Sequence, residues 1–311
     1  MLKSRLCIAF FAFAVGCAPA QKPLTDYVNP MLGTATLWDS VDLGFKPTKR
    51  TWGAEVFPGS SLPNAMVQVS PVTKFHSGAG YQYEDSVIYG FTHTNKGHWN
   101  LCHIPLLPVT GTPTPGDYCS PFSHERESAA PGYYQVFLDR YGVDAQLSST
   151  LRCAFHKYTY PAGAAASLLA DLQRSNEHVR AWDIRKEGDN VFAGWQQTGE
   201  KMYFYAVANR PVTGIEPVVE GDREVRIVRF GEGDGALELR IGFSFVSEKN
   251  ARENLEAEML GKSFAEVRSE ATATWNDLLG RIRVEGGTER EKGLFYSSLY
   301  VRSSGRRCAA T

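Results

Sequence analysis

Between two apolar flanks, residues 90–105 (GFTHTNKGHWNLCHIP) collect His93, Asn95, Lys96, His98, Trp99, Asn100 and His103. Amide, ammonium and imidazole groups offer donors and acceptors at fixed angles, and an indole offers a flat apolar face. A sugar ring uses both: its C–H face stacks on the indole and its hydroxyls bond the polar groups. The same residues also fit a plain polar loop with a half-buried tryptophan, and on this stretch alone both readings stand. The apolar run 104–109 follows at once and reads as a buried strand, which would hold the polar cluster at a strand mouth.

Acid–base chemistry on a glycosidic bond needs two carboxylates across the scissile bond. Glu84 with Asp85, Glu125 with Glu127, and Asp183 are the acids to consider. If residues 84 and 85 are extended, their side chains point to opposite faces and do not share a site. Glu125 and Glu127 read as part of a solvated loop before Pro131. His124-Glu125 starts like a H-E-x-x-H zinc motif, but Ser128 stands where the second histidine belongs. His93, His98 and His103 recur every five residues, a spacing that aligns them on neither a helix nor a strand. There is no G-x-S-x-G elbow and no phosphate-binding glycine loop.

The elements that must position these residues are mostly strands. The chain has 311 residues, 22% of them charged, with a net charge of −1, so nothing in its charge points to nucleic acid. Lys3 and Arg5 precede a short apolar run, and residues 1–20 read as a signal peptide, so the protein is expected to be exported to the periplasm or cell surface. Cleavage after Ala20 is one ending; the alternative is lipidation of Cys17 and a lipid anchor. Cys102, Cys119, Cys153 and Cys308 are too few and too scattered for a disulfide framework and read as free thiols. Prolines 30, 47, 58, 63 and 71 mark residues 21–75 as irregular with short strands such as 65–70. From residue 133 the alternation is plainly β: 134–138, 143–151, 154–160, 165–172, 179–186, 191–196, 202–208, 225–230 and 237–246. So many short strands predict a large antiparallel β-sandwich. After residue 247 the period becomes helical. Ala251, Leu255 and Met259 share one face; Ser263 with Glu266 forms a capping box ahead of Phe264, Val267, Ala271, Trp275 and Leu278. A third amphipathic segment starts near Gly293, whereas 301–311 (VRSSGRRCAAT) has no apolar period.

Several motifs together resemble glycoside hydrolase family 92, exported bacterial exo-α-mannosidases. They are YVNPMLGT at 27–34, FPG…LP at 57–63, GYQY at 80–83, GFTHT at 90–94 and PGYY at 131–134. FHKYTYP at 155–161, WN at 275–276, VEGGT at 284–288 and FY at 295–296 follow in the family's order. The resemblance implies a supersandwich, linker helices and a large (α/α)6 barrel. It assigns 21–246 to the N-terminal sandwich, 247–282 to the linker and 283–311 to the truncated start of the catalytic domain. It also implies inverting, calcium-dependent hydrolysis of terminal α-mannose from N-glycans and other mannose-containing glycans. The catalytic carboxylates and most calcium ligands would lie in the barrel, so no residue here inherits those roles. The sandwich's share is its loops over the cleft. Trp99 is the expected stacking platform, with His98 and Asn100 beside it and His93, Asn95 and Lys96 as further sugar contacts. Residues 96–103 depart from the Gly/Ser-rich version common in the family. Without a barrel, Phe264, Val267, Trp275 and Leu278 would be left exposed. The alternative function is a free-standing exported carbohydrate-binding sandwich; the oligomeric state is left open.

Overall fold

Strand Lys201–Ala208 shows why this sequence makes sheets. Met202, Phe204, Ala206 and Ala208 are buried while the residues between them are half-exposed, so one face enters a core at every second position. The computed structural model describes residues 22–36, 56–95 and 101–304, and in them that pattern builds two large antiparallel sheets. One runs, in spatial order, β1 (Ser60–Ser61), β2 (Gln68–Val72), β4 (Gly90–Thr92), β5 (Leu106–Val109), β11 (Ser167–Ala170), β16 (Arg223–Phe230) and β15 (Val212–Glu220). The other runs β12 (Ala181–Lys186), β13 (Val191–Gln197), β14 (Lys201–Ala208), β17 (Leu237–Ser244), β10 (Cys153–Thr159), β9 (Val143–Ser149), β8 (Tyr133–Leu138) and β7 (Glu127–Ala130). A two-stranded ribbon, β3 (Val87–Ile88) with β6 (Ser120–Pro121), stands apart.

The sheets share one apolar core. Val69, Phe91, Leu106, Leu168 and Ile227 of the first meet Val136, Leu147, Phe204, Leu239 and Ile241 of the second. The expected sandwich is therefore the observed architecture, with differences in detail. Pro71 and Pro108 lie inside β2 and β5. Each is paired on one side only, with Phe91 and Leu168 respectively, so a proline can stand with its nitrogen away from the partner. β15 has no counterpart in the predicted strands: it is a mostly exposed edge carrying Pro217 and a bulge at Val212/Gly214.

Three helices follow the strands: α1 (Glu248–Glu258), α2 (Phe264–Leu279) and α3 (Glu289–Ser304). Ser263 and Glu266 form the predicted capping box of α2. The apolar helix faces are not left open. Leu255, Met259, Phe264 and Val267 pack on Tyr133, Cys153 and Phe155 of the eight-stranded sheet. Gly132, at φ 78°, lets α2 approach: a Cβ there would lie 2.5 Å from that of Ala271. Trp275 is fully buried, donates its Nε1–H to Ser61 O at 2.7 Å, and packs against the Tyr300 ring, tilted by 50° with centroids 4.4 Å apart. Sandwich and helices thus cover the faces that the sequence assigns to a barrel. α3 also continues through Val301–Ser304, and its Ser303 carbonyl accepts from Asn64 N at 3.1 Å; residues 305–311 lie outside the described residues.

The N-terminal 3-10 turn Leu24–Tyr27 docks on these helices through Leu24, Leu279 and Tyr296. Thr25 and Asn276 exchange two hydrogen bonds of 3.1 Å, and Asn29 N donates to Ser297 Oγ at 2.9 Å. The Asn-Pro, Trp-Asn and Phe-Tyr motifs thus meet in one place.

Glu127 corrects a reading made from composition. Its carboxylate is buried on β7, not solvated, and accepts from Tyr81 OH at 3.0 Å, Tyr134 OH at 2.5 Å and His124 Nδ1 at 2.6 Å. His124 also donates Nε2–H to Tyr83 O at 2.7 Å and stacks on the Tyr83 ring. Burial, and then the Glu127 charge, push both the Tyr81 and Tyr134 hydroxyls above the ordinary phenol range, so both stay donors. Replacing Glu127 with leucine strands these three donors; a loss of roughly 3 kcal/mol in urea unfolding is expected. A loss near zero would mean that the network contributes nothing net.

Candidate functional site

The polar cluster between β4 and β5 is held from both ends. Upstream, Asn95 is fully buried: Nδ2 donates to Gln68 O at 2.7 Å and Thr92 O at 3.0 Å, and Oδ1 accepts from Thr92 Oγ1 at 2.8 Å. Downstream, Cys102 N donates to Thr94 O at 2.7 Å and His103 N to Thr94 Oγ1 at 3.1 Å, closing the loop at its base. Partners distant in sequence complete the clamp. Ser175 Oγ and Asn176 N donate to Leu101 O, Gln196 Oε1 accepts from Ile104 N at 2.8 Å, and Thr198 Oγ1 meets His103 Nε2 at 3.0 Å. Asn176 also ties down the neighbouring loop, accepting from His76 N at 2.7 Å and donating to Ser77 O at 3.1 Å.

Backbone strain is concentrated here. Leu101 (φ 77°), Cys102 (φ 58°), Ile104 (φ 55°) and His76 (φ 59°) are all left-handed without being glycine. Each such residue costs about 1–2 kcal/mol, and such conformations persist where the surroundings over-determine them, as they do at ligand clamps. Gly80 is part of the arrangement: a Cβ there would lie 2.7 Å from Cys102 Sγ. Burial pushes the Cys102 thiol up to about 12, so it remains a packed thiol. Cys102, Cys119 and Cys153 are free, as expected, and Cys119 is only half-buried; Cys308 lies outside the described residues.

Of the six expected sugar contacts, Lys96, His98, Trp99 and Asn100 lie outside the described residues, as does Cys17. The other two, His93 and Asn95, are interior. His93 Nδ1–H donates to Ile104 O at 3.0 Å, and its Nε2 meets His156 Nε2 at 3.0 Å. Tyr158 OH in turn bonds His156 Nδ1 at 2.5 Å. Burial lowers the His93 pKa to about 3 and that of His156 well below its ordinary value, so both rings are neutral. This chain of neutral groups crosses between the two sheets, from His93 beside β4 to Tyr158 on β10.

Two clefts adjoin the clamp and share His76 and Arg174. One, about 450 Å³, is lined by Lys74, Glu84 and Asp85 among others. Glu84 and Asp85 do share it, because they occupy a turn rather than a strand. Each is already engaged: Glu84 accepts from Thr36 N and Asp85 from Thr73 Oγ1. The other cleft, about 730 Å³, lies between the segment around residues 173–182 and the β15–β16 turn. Asp183 is outside both clefts and pairs with Arg185 at 3.1 Å. Among the described residues no three His, Cys, Asp or Glu side chains converge to hold a metal ion. Asn176, Gln196 and Thr198 carry no motif, and composition does not single them out; only the fold brings them to the loop.

The model of the glycosyl hydrolase family 92 N-terminal domain matches residues 27–254. The chain belongs to glycosyl hydrolase family 92. The model of the family's catalytic domain matches residues 250–308 of this family 92 chain. A solved relative is a family 92 α-mannosidase from Bacteroides thetaiotaomicron, 26% identical, with a TM-score of 0.78 over 90% of this chain and 41% of that one. The same enzyme has been solved in complex with mannoimidazole. A family 92 inverting mannosidase from the same organism shares the fold at 23% identity, with a TM-score of 0.78 over 93% of this chain and 41% of that one. An uncharacterized secreted glycosidase of Arthroderma benhamiae is 24% identical, over 88% of this chain and 40% of the relative. The family 92 chain thus spans about 40% of the length of the relatives it matches.

Proposed function

We propose that this family 92 chain supplies the sandwich wall of an exo-α-mannosidase cleft and grips the terminal sugar of mannose-containing glycans. The observation that carries the reading is the clamp: strained residues and buried amides converge on the base of one five-residue polar segment, 96–100, that contains Trp99. Rigid support of this kind is what a binding loop needs, because ordering a loop at each binding event costs affinity. In this reading Trp99 stacks on a sugar face, and Lys96, His98 and Asn100 bond hydroxyls. His93 and Asn95 support the segment from below. Inverting hydrolysis and calcium follow from the family resemblance and belong with a catalytic barrel, so no catalytic step is assigned to this chain. The secreted relative supports export, and a periplasmic or surface location, with or without a lipid on Cys17, goes with it.

The test has two arms. The 311-residue chain is expected to release no mannose from α-mannobiosides, with or without calcium; turnover would sink the placement of the chemistry. Calorimetric titration with manno-oligosaccharides is expected to show binding that weakens about ten-fold in Trp99→Ala, the equivalent of about 1.4 kcal/mol for a lost stacking face. Wild-type affinity in that variant would remove Trp99 from the site. The free-standing binding sandwich is the second reading. It is favoured by the packing of the helices, whose residues Leu255, Met259, Phe264 and Val267 are covered by the sandwich's own sheet.

A further inference from the structure

The larger cleft holds chemistry that the loop does not use. Beneath it lies a polar network: Arg223 donates to Asp171 Oδ2 at 2.6 Å, Tyr118 OH donates to the same oxygen at 2.7 Å, and Arg174 bonds Tyr118 OH at 3.2 Å, while Asp171 Oδ1 is buried without a partner. Arg174 is further fixed against the rings of Phe75 and Tyr89. Its rim is different. Among the described residues, the side chains of His178, Arg180 and Asp222 have no bonding partner, and all three are exposed. Beside them stands Trp182, a half-buried indole on edge strand β12 that packs against the main core under Arg226.

Charge decides what fits. Arg174, Arg180 and Arg223 are matched by Asp171, Glu177 and Asp222, so the cleft and its floor are close to neutral. A polyanion would meet Glu177 and Asp222; a cation would meet the arginines. A sugar hydroxyl both donates and accepts, so adjacent hydroxyls can take a bond from Arg180 and give one to Asp222 while the ring lies on an indole. The volume of about 730 Å³ exceeds what one ring needs.

We propose that this cleft is a second glycan site, for a neutral oligosaccharide, built on Trp182, Arg180, Asp222 and His178. It rests on the glycan reading of the chain for its ligand class but uses none of the loop's residues. The wall it occupies is the one that holds Leu101 through Ser175 and Asn176, so it begins where the loop's clamp ends.

The experiment is a titration of the isotope-labelled full chain with a linear neutral α-manno-oligosaccharide, followed by amide chemical shifts. Shifts are expected at residues 173–182 and 222–223. Arg180→Ala and Asp222→Ala, both at exposed positions, should each weaken binding at least ten-fold at those residues with thermal unfolding unchanged. Trp182→Ala should do the same, and the two surface variants decide the matter if it fails to fold. Unperturbed amides at the cleft, unchanged affinity in both surface variants, or a preference for a sulfated over the neutral glycan would each overturn the proposal. Trp99→Ala separates the two sites: retained cleft shifts with lost shifts near the loop support both. Loss of binding only in Trp99→Ala overturns the cleft and keeps the loop. Loss only in the cleft variants keeps the cleft and sinks the loop.

Discussion

Trp275→Ala is expected to lower the stability of the chain by about 4 kcal/mol, as a drop in the urea midpoint at unchanged slope. The indole is fully buried where α2, α3 and β1 meet, so its removal costs the transfer of a large apolar surface plus a cavity that three rigid elements are poorly placed to close. It also leaves the Ser61 carbonyl without its 2.7 Å donor. Trp275→Phe keeps the packing against Tyr300 and loses the hydrogen bond, so it should cost about 1–2 kcal/mol. Leu278, on the same helix but only half-buried, should cost about 1 kcal/mol as alanine. A loss below that value for Trp275→Ala would mean that the helices ride loosely on the sandwich.

Acid is expected to weaken the fold well before general carboxylate protonation does. His93 has an ordinary pKa near 6.5 when unfolded and about 3 when folded, burial being the main cause. Between those values the unfolded chain binds more protons, so stability rises with pH through the window and falls as pH drops. From pH 7 to pH 5, His93 alone removes about 2 kcal/mol. His156, fully buried and lowered further by the nearby His93, acts in the same direction. Around the pair stand Tyr158 OH, the Ile104 carbonyl, His103 and the rings of Phe91 and Phe243; backbone hydrogen bonds with Ile104 and His103 favour the protonated His93, but burial outweighs them. No carboxylate stands among them. Urea midpoints at pH 7, 6 and 5 check the slope, and imidazole nitrogen shifts check the protonation state. A flat stability profile, or a protonated His93 in the folded chain at pH 5, would defeat the prediction.

How far residues alone lead is clear from individual elements. Strand 202–208 is legible because burial follows every second residue, and 237–246 because its first half does the same before Ile241–Ser244 become buried on both faces. β15 is not, because an edge strand buries little and its Pro217 and bulge resemble a break. The apolar faces of α1 and α2 are legible, but what covers them is not: a helix face records that it is buried, not whether sheet or barrel buries it. The same limit applies to the site. Residues 90–105 stand out as a polar cluster, yet His93 and His103 turn inward. Their partners His156 and Thr198 lie 63 and 95 residues away, beyond the reach of any local pattern. Glu127 reads as solvated from its neighbours, and only the arrival of Tyr81 from 46 residues upstream helps make it an interior group.

The docking of the N-terminal turn has a consequence for how the chain acquires its shape. Thr25 is bonded to Asn276 across 251 residues, and Ser61 to Trp275 across 214. Contacts of such separation form late and slowly, since the loop they close must first be ordered. During synthesis, the turn at Leu24–Tyr27 waits for some 250 further residues before its partner Asn276 exists. Until then Leu24, Tyr27 and the β1 edge are available to chaperones, or to a neighbouring chain. The amino-terminal turn therefore takes its place only after α2 and α3 exist to receive it.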